Sequence, residues 1–268
     1  RPIVRSDREY GYRNGVTLQV DSKPSGKDRS RVLGFIGKDN VSVIPVKDCL
    51  LADRRLRGVF GARLRAGDTS KKTAFKLSEG GEIACDREER FLRIKLGGEP
   101  LIAHSKGFFQ NNLFVAERLF AQVAEWAAEA SCGLFFDLYA GSGAFGFLCS
   151  GGAKKVFCAE ENAFSVEALR MNRAERQMEK MEVMQGRAEA LWRSLMARRA
   201  ESAVEKAFLV MDPPRQGLAG GFAETLSRQR DIDAMVYVSC DPATLVRDLK
   251  IILREGVVAI RTGVPFDI

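Results

Sequence analysis

Four short stretches of this chain combine residue types and spacings that chemistry requires. The first is Tyr237-Val238-Ser239-Cys240-Asp241-Pro242-Ala243-Thr244-Leu245. It is a β-prone run that delivers a cysteine directly onto a proline-led helix start, with Val246 and Leu249 continuing at helical spacing. Pro is favoured at the first helical position, and the positive end of the helix dipole favours an anion. A cysteine held there is a candidate nucleophile. Alone at a strand end, it would read as a small buried hydrophobe.

The second stretch is Leu134-Phe135-Phe136-Asp137-Leu138-Tyr139-Ala140-Gly141-Ser142-Gly143-Ala144-Phe145-Gly146. A buried strand feeds a glycine turn and then a helix, and the glycines let backbone approach a ligand closely. The pattern contains G-x-G-x-x-G, which by itself is a weak dinucleotide sign. The acidic strand end at Asp137 and the aromatic Tyr139 fit S-adenosylmethionine better than a pyrophosphate cofactor. The third stretch, Ala159-Glu160-Glu161, places a carboxylate about 20 residues after the turn, where it can bind both ribose hydroxyls. Glu160 is preferred to Glu161 because it sits nearer the strand end. The fourth is Leu209-Val210-Met211-Asp212-Pro213-Pro214-Arg215-Gln216-Gly217-Leu218. Its two prolines stiffen a loop at the end of an apolar strand. Amino-methylating enzymes place an aromatic residue after such prolines. Here the residue is Arg215, a cation able to stabilise a developing enolate.

The elements that must position these residues change character along the chain. Residues 1–105 read as a β-rich domain. Short alternating runs occur at Val16–Val20, Val32–Ile36, Val41–Ile44 and Phe91–Leu96. Turn signals separate them at Lys23-Pro24-Ser25-Gly26, Gly37–Asn40, Glu79-Gly80-Gly81 and Gly97-Gly98-Glu99-Pro100. A helix is expected over about Leu50 to Arg65. Residues 106–268 open with a helix over 112–130, then alternate strands near 134–139, 154–159, 181–185, 207–211, 234–239 and 256–262 with helices near 144–150, 163–177, 187–200, 221–229 and 242–253. Repeated βα units imply a parallel sheet covered on both faces, with ligands beyond the carboxyl ends of its strands.

Charge divides the chain too. The net charge is +7, but residues 1–110 hold 23 Lys and Arg against 14 Asp and Glu, and the remainder 19 against 21. A basic front half points to a polyanionic partner. The six cysteines form no Cys-x-x-Cys pair, which argues against a zinc site and for reduced thiols in the cytoplasm. A single histidine, His104, argues against Ser-His-Asp chemistry and is expected at the surface or behind a site. Cys85, Cys132, Cys149 and Cys158 read as packing residues. Nothing points to a membrane or an obligate protein partner.

Together these stretches resemble the RNA uracil-C5 methyltransferases, class I enzymes that make 5-methyluridine in tRNA or 23S ribosomal RNA. Tyr10-Gly11-Tyr12-Arg13-Asn14 and Phe108-Phe109-Gln110-Asn111-Asn112 add to the match, which spans almost the whole chain. The resemblance implies an α/β fold: a Rossmann-like parallel sheet lacking its seventh strand, preceded by a smaller β-rich α+β domain that contacts RNA. It implies that Gln110, Tyr139, Glu160 and Asp212 bind S-adenosylmethionine and that Cys240 is the nucleophile; Gly141 of the glycine turn and Arg215 join them as cofactor-binding and catalytic candidates from the residues themselves. Asp241 stands where members often carry Asn, and Ala144 where some carry a polar contact.

The general base of that family is a Glu beyond a Phe-Asp-x-Phe-Pro stretch, which begins here at Phe266-Asp267-Ile268. The chain is therefore expected to be cut at both ends, without base or seventh strand. Some members also hold an iron–sulfur cluster, and Cys49 resembles its fourth ligand in a longer parent. Alternatives are a cytosine-C5 RNA methylase, disfavoured because the Asp-Pro-Pro loop has no cysteine, and a non-catalytic RNA-binding module with a vestigial cofactor pocket. An NAD oxidoreductase is a more distant reading.

Overall fold

The computed structural model describes residues 2–21, 31–39, 41–61, 63–64, 71–201 and 205–266. It divides into two units, Ser6–Ala116 and Arg1–Arg5 with Glu117–Ile268.

In the first unit, an antiparallel sheet is built from β1 (Gly15–Val20), β2 (Arg31–Ile36), β3 (Val43–Pro45), β4 (Arg63–Leu64), β5 (Lys72–Leu77) and β6 (Ile83–Cys85). The order is β3-β2-β1-β5-β6, with β4 on β2. Val16, Leu18 and Val20 alternate inward and pack with Leu33, Leu56, Val59 and Leu77, the period-2 burial of a one-sided sheet. Strands β7 (Phe91–Leu96) and β8 (Glu99–His104) form a separate hairpin. Its two-residue turn is Gly97-Gly98, with φ +59° and +82°, the left-handed pair that a tight hairpin demands. Glu99 and Pro100, expected in that turn, instead open β8 opposite Leu96 and Lys95.

The helix expected over Leu50 to Arg65 is a short 3₁₀ helix, Arg54–Val59. Asp53 caps it by accepting from the Arg55 N–H, and Gly61 at φ +81° follows its end. The turn signal at Lys23-Pro24-Ser25-Gly26, together with Asn40 and Arg65, lies outside the described residues.

In the second unit, α1 (Leu113–Ala130), which begins in the first, leads into β9 (Leu134–Leu138), α2 (Ala144–Cys149), β10 (Lys155–Glu160), α3 (Ala163–Glu175), β11 (Met181–Gln185), α4 (Ala188–Glu201), β12 (Ala207–Met211), α5 (Phe222–Ser227), β13 (Ala234–Tyr237) and α6 (Pro242–Ile252). The five strands are parallel, in the order β11-β10-β9-β12-β13. The order reverses direction at β9, so the crevice beside that strand is the switch point of a doubly wound sheet. All five residues of β9 are buried. Phe135 stacks on Phe208 and Phe136 on Phe157, at 5.4 and 5.1 Å between ring centres.

The strand expected over 256–262 does not form. Among the described residues, β13 has β12 on one side and no strand on the other. The apolar Val257-Val258-Ala259-Ile260 run has strand composition but joins no ladder. Beyond it, Pro265 accepts from the Val4 N–H at 2.9 Å, and Phe266 bridges Val4. No helix of the described residues is long and apolar enough to cross a membrane.

Candidate active site

Strand register brings the predicted residues to one edge. Leu138 pairs with Ala159 on one side and Met211 on the other, and Met211 pairs with Tyr237. Four strands thus end level, and Tyr139, Glu160, Asp212 and the Val238–Cys240 segment all leave from that edge.

The turn after β9 is set by backbone handedness. Tyr139, Gly141 and Gly143 have φ of +62°, +56° and +90°. The position before α2 must be glycine. A Cβ on Gly143 would overlap the Leu169 side chain and stand 2.6 Å from the Phe147 ring. At Gly141 the direction of a Cβ is open, with nothing within 4 Å. Its N–H donates to Glu160 Oε2 at 2.8 Å, while Glu160 Oε1 accepts from the Asn162 N–H at 2.7 Å. Glu160 is thereby turned toward the glycine turn, whereas Glu161 is exposed. Each of its oxygens keeps acceptor capacity for a hydroxyl. The Tyr139 hydroxyl donates to Glu189 Oε1 at 2.7 Å. A bare glycine turn flanked by a fixed carboxylate and an aromatic residue is a donor set that fits the adenosyl group of S-adenosylmethionine.

Asp137 lies beneath this turn, fully buried. Its Oδ2 accepts from the Gly146 N–H at 2.9 Å, and Oδ1 has no partner among the described residues. Burial pushes its carboxyl up to about 8; the Gly146 N–H opposes this, and the charges of Asp212 and Glu160 add to it.

The loop after β12 starts at half-buried Asp212 and leaves Arg215 exposed. It closes with the Gly217 N–H donating to the Pro214 carbonyl at 2.7 Å. Next to it, beyond β13, Cys240 sits at the tip of a turn. Ser239 Oγ accepts from the Asp241 N–H at 3.1 Å and donates to the Asp241 carbonyl at 3.0 Å. Asp241 is the N-cap of α6, its Oδ1 accepting from Ala243 and Thr244 at 2.9 and 3.0 Å. Asn serves equally well in that role, so the departure at 241 conserves the cap. Two first-turn N–H groups therefore go to Asp241 and not to the thiol. These hydrogen bonds hold the Asp241 carboxyl below the usual range, with a smaller contribution from the nearby Arg215 charge. Cys240 is the exposed member of the six free cysteines. Cys132, Cys149 and Cys158 are buried, and burial pushes their thiols up, away from the reactive form.

Gln110 belongs to the other unit, half-buried between β8 and α1. Within that unit its motif meets the Tyr-Gly-Tyr-Arg-Asn segment, for the Asn14 N–H donates to the Asn111 carbonyl at 3.0 Å. Cys49 packs against the β1 and β2 core. Among the described residues, no three ligating side chains converge. One thiol on an aliphatic core does not compose a cluster site. His104 is not at the surface. It is buried, edge-on to Phe91 at 5.0 Å, and its Nδ1 accepts from the Lys106 N–H. An aromatic neighbour on the paired strand explains this placement; Phe91 and His104 face each other in register.

Sequence reasoning missed two acids that hold site residues, Glu189 and Asp248. Asp248 carried a readable signal. It falls between Leu245 and Ile252 on the inward stripe of α6, where a charge requires partners.

A family model described as tRNA (uracil-5-)-methyltransferase matches residues 90–259. An uncharacterized RNA methyltransferase of Clostridium tetani is 24% identical over 318 residues, covering 95% of this chain and 67% of that protein. A 23S rRNA (uracil(747)-C(5))-methyltransferase of Shewanella putrefaciens is 30% identical over 172 residues, covering 64% of this chain but only 43% of that enzyme. Among solved structures, the tRNA (uracil-54, C5)-methyltransferase of Pyrococcus abyssi, in complex with S-adenosyl-L-homocysteine, shares the fold. It has a TM-score of 0.59 at 19% identity, over 93% of this chain and 71% of that one. The family match covers well over half of the sequence and includes the glycine turn, the Asp-Pro-Pro-Arg loop and Cys240, so the chain belongs to the tRNA (uracil-5-)-methyltransferase family.

Proposed function

We propose that this chain carries the cofactor site and nucleophile of an enzyme that methylates C5 of a uridine in structured RNA, tRNA or 23S ribosomal RNA, in the cytoplasm. The observation that carries the reading is the adjacency of the Arg215 loop and Cys240 beyond two paired strands, one step from the glycine turn. Uracil C5 is too weak a nucleophile to take a methyl group unaided. Cys240 solves this by adding to C6 as a thiolate, its proton first given up to solvent: a sulfur–carbon bond forms, and the C5–C6 π pair shifts toward O4. Arg215 stabilises the enolate charge. S-adenosylmethionine, when bound, supplies the electrophilic methyl group. Tyr139, Gly141, Glu160 and Asp212 would bind and orient it. Once C5 is methylated, its proton passes to a base, and the electrons left behind expel the Cys240 sulfur from C6. In a folded RNA the target must first leave its stack. The excess of Lys and Arg over residues 1–110 supports docking of the phosphate backbone there.

The test is trapping with 5-fluorouridine-substituted RNA in the presence of S-adenosylmethionine. A base cannot remove fluorine from C5, so the adduct persists. A denaturation-resistant adduct formed by the chain and lost in Cys240→Ala is the expected result. No adduct, with cofactor binding intact, overturns the reading in favour of a non-catalytic RNA-binding module.

A further inference from the structure

The buried carboxylate of Asp248 joins three elements. It lies on α6 with 2% exposure. Its Oδ2 accepts from the Leu218 N–H at 2.8 Å and from the Tyr237 hydroxyl at 2.6 Å. Its Oδ1 receives Arg247 Nε at 2.8 Å and Nη2 at 2.7 Å. Arg247 Nη2 also donates to the Gln216 carbonyl at 2.7 Å. The end of the Asp212–Leu218 loop, the last residue of β13 and the helix that follows Cys240 are thus fastened to one carboxylate. Gly217 fits closely against it. Besides its φ of +75°, a Cβ there would overlap Asp248 Oδ2 and stand 2.5 Å from Arg247 Nη2. Charge-assisted hydrogen bonds of this kind fix geometry as well as adding energy.

Asp248 and Arg247 are too far along α6 to be the cap of the cysteine turn, and Asp241 already fills that role. What they join is the loop bearing Arg215 and the strand–helix segment bearing Cys240. We propose that Asp248 and Arg247 are positioning residues that hold the Arg215 loop in register with the Cys240 nucleophile. The catalytic part of this proposal rests on the uracil-C5 reading; the clamp itself does not.

The experiment uses the full chain with Asp248→Asn, which keeps the volume and an acceptor but breaks the Arg247 pairing. Tyr237→Phe removes one hydroxyl. Two readouts are taken beside urea unfolding. Hydrogen exchange of residues 216–218 should accelerate about tenfold or more in Asp248→Asn, with β9 and β10 unchanged. Adduct formation with 5-fluorouridine RNA, at saturating RNA and S-adenosylmethionine, should slow about 10- to 100-fold, and less in Tyr237→Phe. Cofactor affinity and alkylation of Cys240 by iodoacetamide should stay within about twofold. A misplacement of catalytic groups lowers the saturated rate without unfolding the site. Unchanged exchange at 216–218 overturns the clamp. Accelerated exchange with an unchanged adduct rate, or an adduct loss that only follows lost stability, overturns the positioning role. If the unsubstituted chain forms no adduct, the uracil-C5 reading and the positioning role fall together, and exchange alone decides the clamp.

Discussion

Replacing Asp137 by Asn tests the electrostatics under the glycine turn. Its carboxyl is fully buried, has one donor, the Gly146 N–H, and is pushed up to about 8 from a usual value of 3.8. The folded chain therefore keeps a proton that the unfolded chain loses above about pH 4. A group whose folded pKa is raised contributes stability that is complete below its unfolded value and is lost as pH climbs through the folded one. Between those limits the loss is ~1.4 kcal/mol per pH unit. From pH 5 to pH 8, this single group should remove about 3–4 kcal/mol of folding free energy. Asn is neutral at every pH and nearly isosteric, so it keeps the Gly146 hydrogen bond and has no such slope. The assay is urea unfolding of the chain and of Asp137→Asn at pH 5, 6, 7 and 8. Other titrating groups cancel in the difference. The variant should gain steadily on the unsubstituted chain as pH rises. Parallel curves would show that the folded chain already carries Asp137 ionised across this range, and would refute the reasoning.

Three further outcomes are expected. Gly143→Ala should destabilise the chain by about 2 kcal/mol or more in urea unfolding, because φ +90° and contacts with Leu169 and Phe147 both oppose a side chain. Lys76→Met should cost about 2–3 kcal/mol and speed hydrogen exchange of residues 104–107. The Lys76 ammonium donates to the carbonyls of His104, Ser105 and Gly107, just before the Phe-Phe-Gln-Asn-Asn motif. RNA affinity measured by filter binding should fall steeply between about 50 and 200 mM salt if the basic front half neutralises phosphates. A flat response would count against docking there.

The parallel half of the fold was legible because each βα unit is written in consecutive residues. Leu134 to Gly146 shows its buried strand, its left-handed turn and its helix start within one stretch, and α3 announces itself with Asn162, whose Oδ1 caps Phe164 and Ser165. The β-rich half was legible only where apolar residues alternate. Strand β5 escaped because Lys72 and Lys76 lie within it, and Lys76 is stabilised by carbonyls from a loop about 30 residues away. Strand β8 escaped because Pro100 looks like a turn residue, yet a hairpin edge accommodates it. The run at 257–260 has strand composition but joins no ladder, and composition alone does not decide pairing.

The same distinction divides the candidate site. Cys240, Arg215 and the glycine turn stood out as candidates because the chemistry proposed for them depends on residue type and on local backbone. Their relative placement depends on partners that do not resemble catalytic groups. Tyr139 is held by Glu189, 50 residues later, and Leu218 by Asp248, 30 residues later. Asp248 looks like one more charge on a surface helix until its inward position between Leu245 and Ile252 is noticed. An acid on an apolar stripe cannot stay there uncompensated, so its partners must be structural necessities. Here the partners are the two segments that carry the proposed chemistry. It follows that substitutions on α6 well away from Cys240 should alter the reaction more than substitutions of exposed residues beside it, such as Val246.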